Sequence, residues 1–344
     1  YKYIDYMTIK TSTVVIGDAL GSYTTAPGAI PLSLTWETAT TYDVGFDMDL
    51  FRNRLSIGFD WYRRYTTDMY TVGVSLPSVY GTDAPKGNNA SLKTNGWELS
   101  VGWRDSFELG GKAFSYNVKA MVWDARTWVT EYINPTGALG DYYEGKELGE
   151  IWGYRVEGLF RDQEDIDSWA KQSFGEVKPG DIKYLDLNGD GIVDNYDTKP
   201  IGYSDIPEIV YGFGFSLQWK AFDLSAFFQG VAHVSFSTLT DQTQAFVGRN
   251  LKESSVFADL YGNTWTPENP GAKYPRMTTG AIDNNNQLST FWMANGRYLR
   301  LKNLELGYTL PKRIANKIAM QSLRVYLSGV NLFTFSPFKL WDPD

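Results

Sequence analysis

The chain has 344 residues, no Cys, one His and a formal net charge of −8. An acidic chain is a poor ligand for phosphate backbones, so nucleic-acid binding is excluded first. Without Cys there are no disulfides or thiolate sites, and His233 alone gives neither a zinc cluster nor an acid–base pair.

Residues 1–6 lack the charged start and apolar stretch of a signal peptide. The last four residues read as loop, and both ends are expected to continue into a longer protein. No apolar run of about 18 residues is present, so no helix is expected to span a bilayer. Period-two alternation then recurs along the chain. Tyr42, Val44, Phe46, Met48 and Leu50 face one way, and Asp43, Gly45, Asp47 and Asp49 the other. After a turn at 51–54, Leu55, Ile57, Phe59 and Trp61 alternate with Ser56, Gly58 and Asp60. Trp97, Leu99, Val101 and Trp103 follow, then Phe114, Tyr116, Val118, Ala120 and Val122. Tyr211, Phe213, Phe215, Leu217 and Trp219 form the next apolar face, and Leu304, Leu306, Tyr308 and Leu310 a later one. The segments 223–232 and 323–333 are strands of less clean pattern. In 223–232 both faces carry rings, which leaves its outward face open.

The connections alternate in length. Short ones fall near 51–54, 104–113, 220–222 and 311–322, and long ones at 66–94, 125–206 and 233–296. Antiparallel neighbours place successive connections at opposite ends of a sheet. One end therefore carries the short turns and the other the long loops, as in outer-membrane barrels. Rings bracket the strands as interfacial girdles would, at Tyr211 and Trp219 or at Tyr298 and Tyr308. The predicted fold class is all-β, a transmembrane antiparallel β-barrel represented in part, with long extracellular loops. A soluble β-sandwich is the competing reading.

The sharpest local motif lies in the 125–206 loop. The side chains of Asp186, Asn188, Asp190, Asp194 and Asp197 fall at positions 1, 3, 5, 9 and 12 of a calcium loop. Gly191 occupies the sharp turn, and Ile192 would offer its carbonyl. A hard cation needs this many oxygens because each replaces a hydration water. Ca2+ is the expected ion, with Mg2+ as the other candidate, and its role would be to stiffen the loop. The competing reading is a solvated turn rich in Asp, Asn and Gly. Asp162 is predicted to cap a short helix, with Ile166, Trp169 and Ala170 on one face, and a second short helix is expected at 312–319. Tyr142, Tyr143 and Trp152 are candidate sugar-stacking rings, and the competing reading is that they pack the loop against itself. Gly212 and Gly214 sit inside a strand pattern and are read as close-packing positions. No catalytic constellation emerges, so no enzyme is expected.

Several stretches together resemble one family. Leu34-Thr35-Trp36-Glu37, Asn95-Gly96-Trp97-Glu98 and Pro179-Gly180-Asp181 followed by Asp186-Leu187-Asn188-Gly189-Asp190-Gly191 are similar to segments of SusC/RagA-type TonB-linked outer-membrane transporters. So are Phe228-Gln229-Gly230, the run from Tyr298 to Pro311, and Asn331-Leu332-Phe333-Thr334. The resemblance covers nearly the whole chain, 1–344. It implies the C-terminal part of a barrel of about 22 strands, of which some eight or nine fall here, with the plug domain outside this sequence. It also implies TonB-dependent import in the Gram-negative outer membrane of Bacteroidetes. The partners would be a SusD-like lipoprotein, TonB, membrane lipid and an oligosaccharide or peptide ligand. Inward Asp43, Asp47, Asp49, Asp60, Glu98, Lys119 and Glu305 would line the wall or meet the plug. The alternative is a small self-contained barrel acting as a calcium-stabilised surface binding protein or adhesin.

Overall fold

The computed structural model describes residues 7–16, 19–25, 34–73, 86–135, 137–239, 258–278 and 280–343. The opening residues 1–6 lie outside them. No helix among the described residues is long and apolar enough to cross a membrane, a fact silent on strands.

Two hairpin strands open the chain, β1 (Thr8–Ile16) and β2 (Ala19–Thr25). The first long strands are β3 (Thr38–Leu50), β4 (Leu55–Val72), β5 (Lys86–Leu109) and β6 (Lys112–Tyr132). Six short strands follow: β7 (Trp152–Tyr154), β8 (Val156–Leu159), β9 (Lys171–Gln172), β10 (Ile182–Tyr184), β11 (Ile192–Val193) and β12 (Thr198–Pro200). Then come β13 (Ile209–Trp219), β14 (Phe222–Ala232), β15 (Ser235–Ser237), β16 (Met293–Asn295), β17 (Tyr298–Thr309) and β18 (Arg324–Phe335). Eight of these make one sheet in the order β18-β17-β14-β13-β6-β5-β4-β3. Each end strand, β3 and β18, has one paired neighbour in that order.

The chain divides into two compact units, of residues 1–45, 60–97 and 125–148, and of residues 46–59, 98–124 and 149–344. The first holds parts of β3–β6 and is stitched by polar contacts. Arg63 Nε donates to Asn95 Oδ1 at 2.7 Å, Arg64 Nε to Thr41 Oγ1 at 3.1 Å, and Ser91 Oγ to Glu131 Oε2 at 2.9 Å. The second unit holds the rest of those strands, β7–β18 and the connections between them.

Predicted strand existence agrees with the structure, but three strands run further. β4 continues to Val72, β5 starts at Lys86 and β6 ends at Tyr132. Residues 66–72, 86–94 and 125–132, read from sequence as loop, are strand. Their patterning loses the apolar–polar alternation because only about 9–11 residues per strand meet hydrocarbon. β5 has 24 residues, about 80 Å of extended chain, so much of it projects past the membrane.

Register fixes the two faces in the second unit. On one face Trp219 pairs with Phe114 and Phe222, Leu217 with Tyr116 and Leu224, Phe215 with Val118 and Ala226, and Phe213 with Ala120 and Phe228. Phe222, Leu224 and Ala226 continue to Tyr308, Leu306 and Leu304, and these to Val325, Leu327 and Gly329. This face is apolar yet uncovered: Leu306 is 49% and Leu327 76% exposed. It is the lipid-facing side. It also settles β14, since Phe228 stacks on Phe213 at 4.9 Å and points outward. Phe227 lies inward across Gly212 and Gly214, where an added Cβ would meet its ring at 3.0–3.1 Å.

Rings gather at the short-turn end. Trp103 Nε1 donates to the Tyr116 hydroxyl at 3.0 Å, Phe107 packs on Phe114 at 5.1 Å, and Phe222 on Tyr308 at 4.8 Å. One girdle assignment needs correction. The β14–β17 register shifts between Phe227 and Phe228, with Lys302 as the extra residue, and β18 shifts beside it. A one-residue bulge inverts parity. Leu299 and Leu301 therefore face outward, while Tyr298 pairs with Val231 and is buried with it and Val234. Tyr298 is a core residue and not a girdle ring.

Candidate functional site

The long loops of the second unit build their own core. Tyr154, Ile182, Tyr184, Val193, Leu260, Tyr274 and Trp292 are buried together, with Val156, Leu159, Phe174 and Phe291 around them. These residues come from 149–208 and 258–297, so two distant loops fold as one body. Burial pushes the Tyr154 phenol up to about 12, helped by the charges of Asp194 and Asp197, and raises Tyr184 too. The helix α1 (Gln163–Asp167) forms as its sequence predicts, the Asp162 carboxylate accepting the Asp165 N–H at 2.8 Å. A second turn, α2 (Lys312–Ala315), continues as a 3₁₀ turn to Ile318. Lys183 Nζ sits 2.7 Å from Asp165 and 3.8 Å from the centre of the Trp169 ring. Its hydrogen bond holds the Asp165 carboxyl below the usual carboxylate range.

A polar network ties the two loops. Asp181 is fully buried and pairs with Arg276 at 2.8 Å. Asn285 Nδ2 and the Lys178 N–H donate to the same carboxylate at 2.9 and 2.8 Å. Asn285 Oδ1 accepts from the Ile182 N–H, and Asn284 Nδ2 donates to the Ile182 carbonyl, both within 2.9 Å. Gln172 bridges to the Asn284 carboxamide and takes the Tyr184 N–H at 2.6 Å. Side chains of one loop thus serve β10 in place of a neighbouring strand. Sequence reasoning quoted Asp181 only within a family-like stretch and missed Arg276, Asn284 and Asn285. No local spacing links positions about 100 residues apart.

The cation-type motif follows β10 directly. Asp186 accepts the N–H of Gly189 at 2.6 Å and of Gly191 at 2.8 Å. Asn188 Oδ1 accepts from Asp190 N–H at 2.9 Å and Asp190 Oδ1 from Ile192 N–H at 2.8 Å. Asp197, fully buried, takes the N–H groups of Leu187, Asn188 and Asp194. Asp194 caps the following 3₁₀ turn by accepting from Tyr196 N–H. Gly189 and Gly191 have φ of +78° and +85°, which a side chain would strain. The segment forms a tight turn whose side-chain oxygens accept from its own backbone N–H groups. Among the described residues no three His, Cys, Asp or Glu side chains stand as a metal-holding group.

The candidate ligand-stacking rings fall in different units of the chain. Tyr142 packs edge-on against Tyr132 at 5.5 Å, and the Lys146 ammonium lies 5.9 Å from the Tyr142 ring and 5.4 Å from the Tyr143 ring. Trp152 opens β7 in the other unit and donates to Glu150. His233 stacks flat on Tyr203 at 4.5 Å and meets Glu208 at 3.2 Å, a structural loop contact.

The inward face of the second unit is polar. Glu305 and Asp223 share Arg324, which passes over Gly307, where any side chain would collide with it. Lys119 lies 5.6 Å from the Phe227 ring. Near the short turns, Arg54 pairs with Asp105 at 3.2 Å and Arg104 Nε donates to the Asn53 carbonyl at 2.8 Å. A cavity of about 730 Å³ adjoins them, lined also by Asn117, Ser216 and Gln218.

An apolar outside, a polar inside and loops grown at one end point to one kind of barrel, and comparison with known proteins decides which. The family model described as TonB dependent receptor-like, beta-barrel matches residues 6–332. The chain belongs to the TonB-dependent receptor β-barrel family. This is a family of outer-membrane transport receptors. TonB-dependent receptor P3 of Formosa agariphila is 30% identical over 330 residues, covering 91% of this chain and 31% of the relative. TonB-dependent receptor SusC of Bacteroides thetaiotaomicron is 26% identical over 355 residues, 93% of this chain and 31% of SusC. The chain thus spans about a third of the length of these relatives. A structure of the RagAB peptide transporter superposes with a TM-score of 0.72 at 22% identity, over all of this chain and 36% of that one. At that identity the likeness concerns the fold, a partial barrel of the SusC/RagA type.

Proposed function

We propose that this chain is the C-terminal barrel part of a TonB-dependent importer of a large nutrient, an oligosaccharide or a peptide. It works with a SusD-like surface lipoprotein and with TonB, and it performs no chemistry on its cargo. The observation that carries this reading is the asymmetric wall. Uncovered apolar side chains face lipid, Asp223, Glu305 and Arg324 face inward, and a folded loop body stands at one end. A peptide transporter among the similar structures supports the peptide class, and the oligosaccharide class rests on the sequence resemblance. Within this reading the inward charges satisfy polar groups of a plug domain outside this sequence. Tyr142, Tyr143 and Trp152 contact cargo. The test is growth of a deletion strain on a panel of glycans and peptides as sole nutrients. Loss of growth on one class is expected, and undiminished growth on every one would leave import without support.

The loop 186–197 belongs to the same proposal as a structural Ca2+ site. Asp186, Asn188, Asp190, Asp194 and Asp197 would supply side-chain oxygens and Ile192 its carbonyl. Each of these side chains keeps an oxygen lone pair beside its backbone hydrogen bonds, and a cation held there would cross-link the turn and stiffen the loop body. Calorimetry on the intact protein is expected to show calcium uptake that Asp190→Ala abolishes. Absence of uptake by the unaltered protein would sink it.

A further inference from the structure

A groove of about 400 Å³ opens on the outward face at the loop-side border of the apolar band. Its position follows from register. One rung of the sheet runs Val122–Tyr211–Gly230–Leu299–Phe335 and carries no charge. On the next rung toward the loops, Ile209 pairs with both Asp124 and Ala232. Two residues on from Leu299 and Phe335, alternation brings Arg297 and Pro337 to the same level. On the outward face of the second unit this is the first rung with formal charges, so it marks the step from hydrocarbon to headgroups.

The groove exists because its floor is small. Gly230 has no side chain and Ala232 only a methyl. Tyr211 leans across Gly230 and donates its hydroxyl to the Tyr298 carbonyl at 3.2 Å. Leu299 and Phe335 make the opposite wall, and Phe335 is 61% exposed. Arg297 and Lys339 stand at the rim, both exposed. Among the described residues neither side chain makes a hydrogen bond or ion pair, although the chain as a whole is acidic.

Two unneutralised cations above an apolar groove at headgroup depth complement one kind of molecule, an anion that carries a hydrocarbon chain. We infer that the groove holds a phosphorylated membrane lipid of the loop-side leaflet. The phosphate lies between the Arg297 guanidinium, which can grip two of its oxygens, and the Lys339 ammonium. An acyl chain runs along Tyr211, Leu299 and Phe335. The inference needs the membrane-spanning sheet but not the import of any cargo, so growth tests and lipid tests fail independently.

The experiment is native mass spectrometry of the intact detergent-purified protein, offered equal amounts of dioleoyl phosphatidylglycerol and dioleoyl phosphatidylcholine. The unaltered protein is expected to retain the anionic lipid preferentially. Arg297→Gln with Lys339→Gln should erase that preference, at roughly fivefold per cation removed, and leave phosphatidylcholine unchanged. Ala232→Trp fills the floor while keeping both charges, and should lower retention of both lipids. Heat-modifiable electrophoretic mobility checks that each variant is folded. Equal retention of the two lipids by the unaltered protein would overturn the inference. So would a preference that survives the double substitution. Full displacement of the lipid by the same concentration of inorganic phosphate would overturn it too, by showing a soluble-anion site that needs no chain.

Discussion

Arg276→Met is expected to loosen the extracellular loop body by about 3–5 kcal/mol, because it leaves the Asp181 carboxylate buried without its cation. Asp181 has no solvent exposure, and its remaining donors are the Asn285 carboxamide and the Lys178 N–H. These can hold a carboxylate's geometry but cannot neutralise it. The effect should be local, since the network joins β9, β10 and the 258–297 segment and not the membrane strands. Hydrogen exchange on the intact protein should show lost protection in 149–208 with the sheet amides unchanged. A paired change, Asp181→Asn with Arg276→Met, should recover much of the loss, because it removes the stranded charge along with its partner. Unchanged protection in the single variant would mean that the aromatic core around Tyr184 and Trp292 holds the loops unaided.

The second large effect tests the faces of the sheet. Phe213 lies mid-band on the outward side, beside Phe228 and Ala120, and Ser216 lies inward between Asn117 and Ser225. Phe213→Lys should cost about 2–4 kcal/mol, the penalty for a cation near the bilayer midplane. Ser216→Lys, three residues along the same strand, should cost far less because its side chain meets the polar lumen side. Urea denaturation in bilayers measures both. Equal costs would remove the assignment of outside and inside on which the membrane reading stands.

The sequence disclosed much of this wall because lipid on one side imposes strict alternation. Phe213, Phe215 and Leu217 had to be apolar, Gly212 and Gly214 small beneath Phe227, and Ser216 was free to be polar. The sorting of short and long connections was legible for the same reason, since it needs only strand count and parity. Parity also set the limit. Tyr298 looked like a girdle ring when counted back from Leu304 in twos, and a single bulged residue at Lys302 moved it inside. In 223–232 both candidate faces carried rings, and only pairing with β13 separated Phe228 from Phe227. The loop body was illegible as a core because its members lie far apart in sequence. Ile182 and Asn285 meet across 103 residues. The Asp- and Gly-rich segment 186–197 was legible as a turn because its hydrogen bonds are local.

The bulge at Lys302 also bears on how the hairpin enters the membrane. With simple alternation continued back from Leu304, Lys302 and Arg300 would both be carried onto the hydrocarbon side. With the extra residue accommodated, Arg300 turns inward, 5% exposed, to meet Thr334 and Asp342, and Leu299 and Leu301 take the outer positions. A β17–β18 hairpin that zips from its turn without forming the bulge would therefore drag a guanidinium into lipid. Insertion is productive in only one register, and the membrane itself proofreads it.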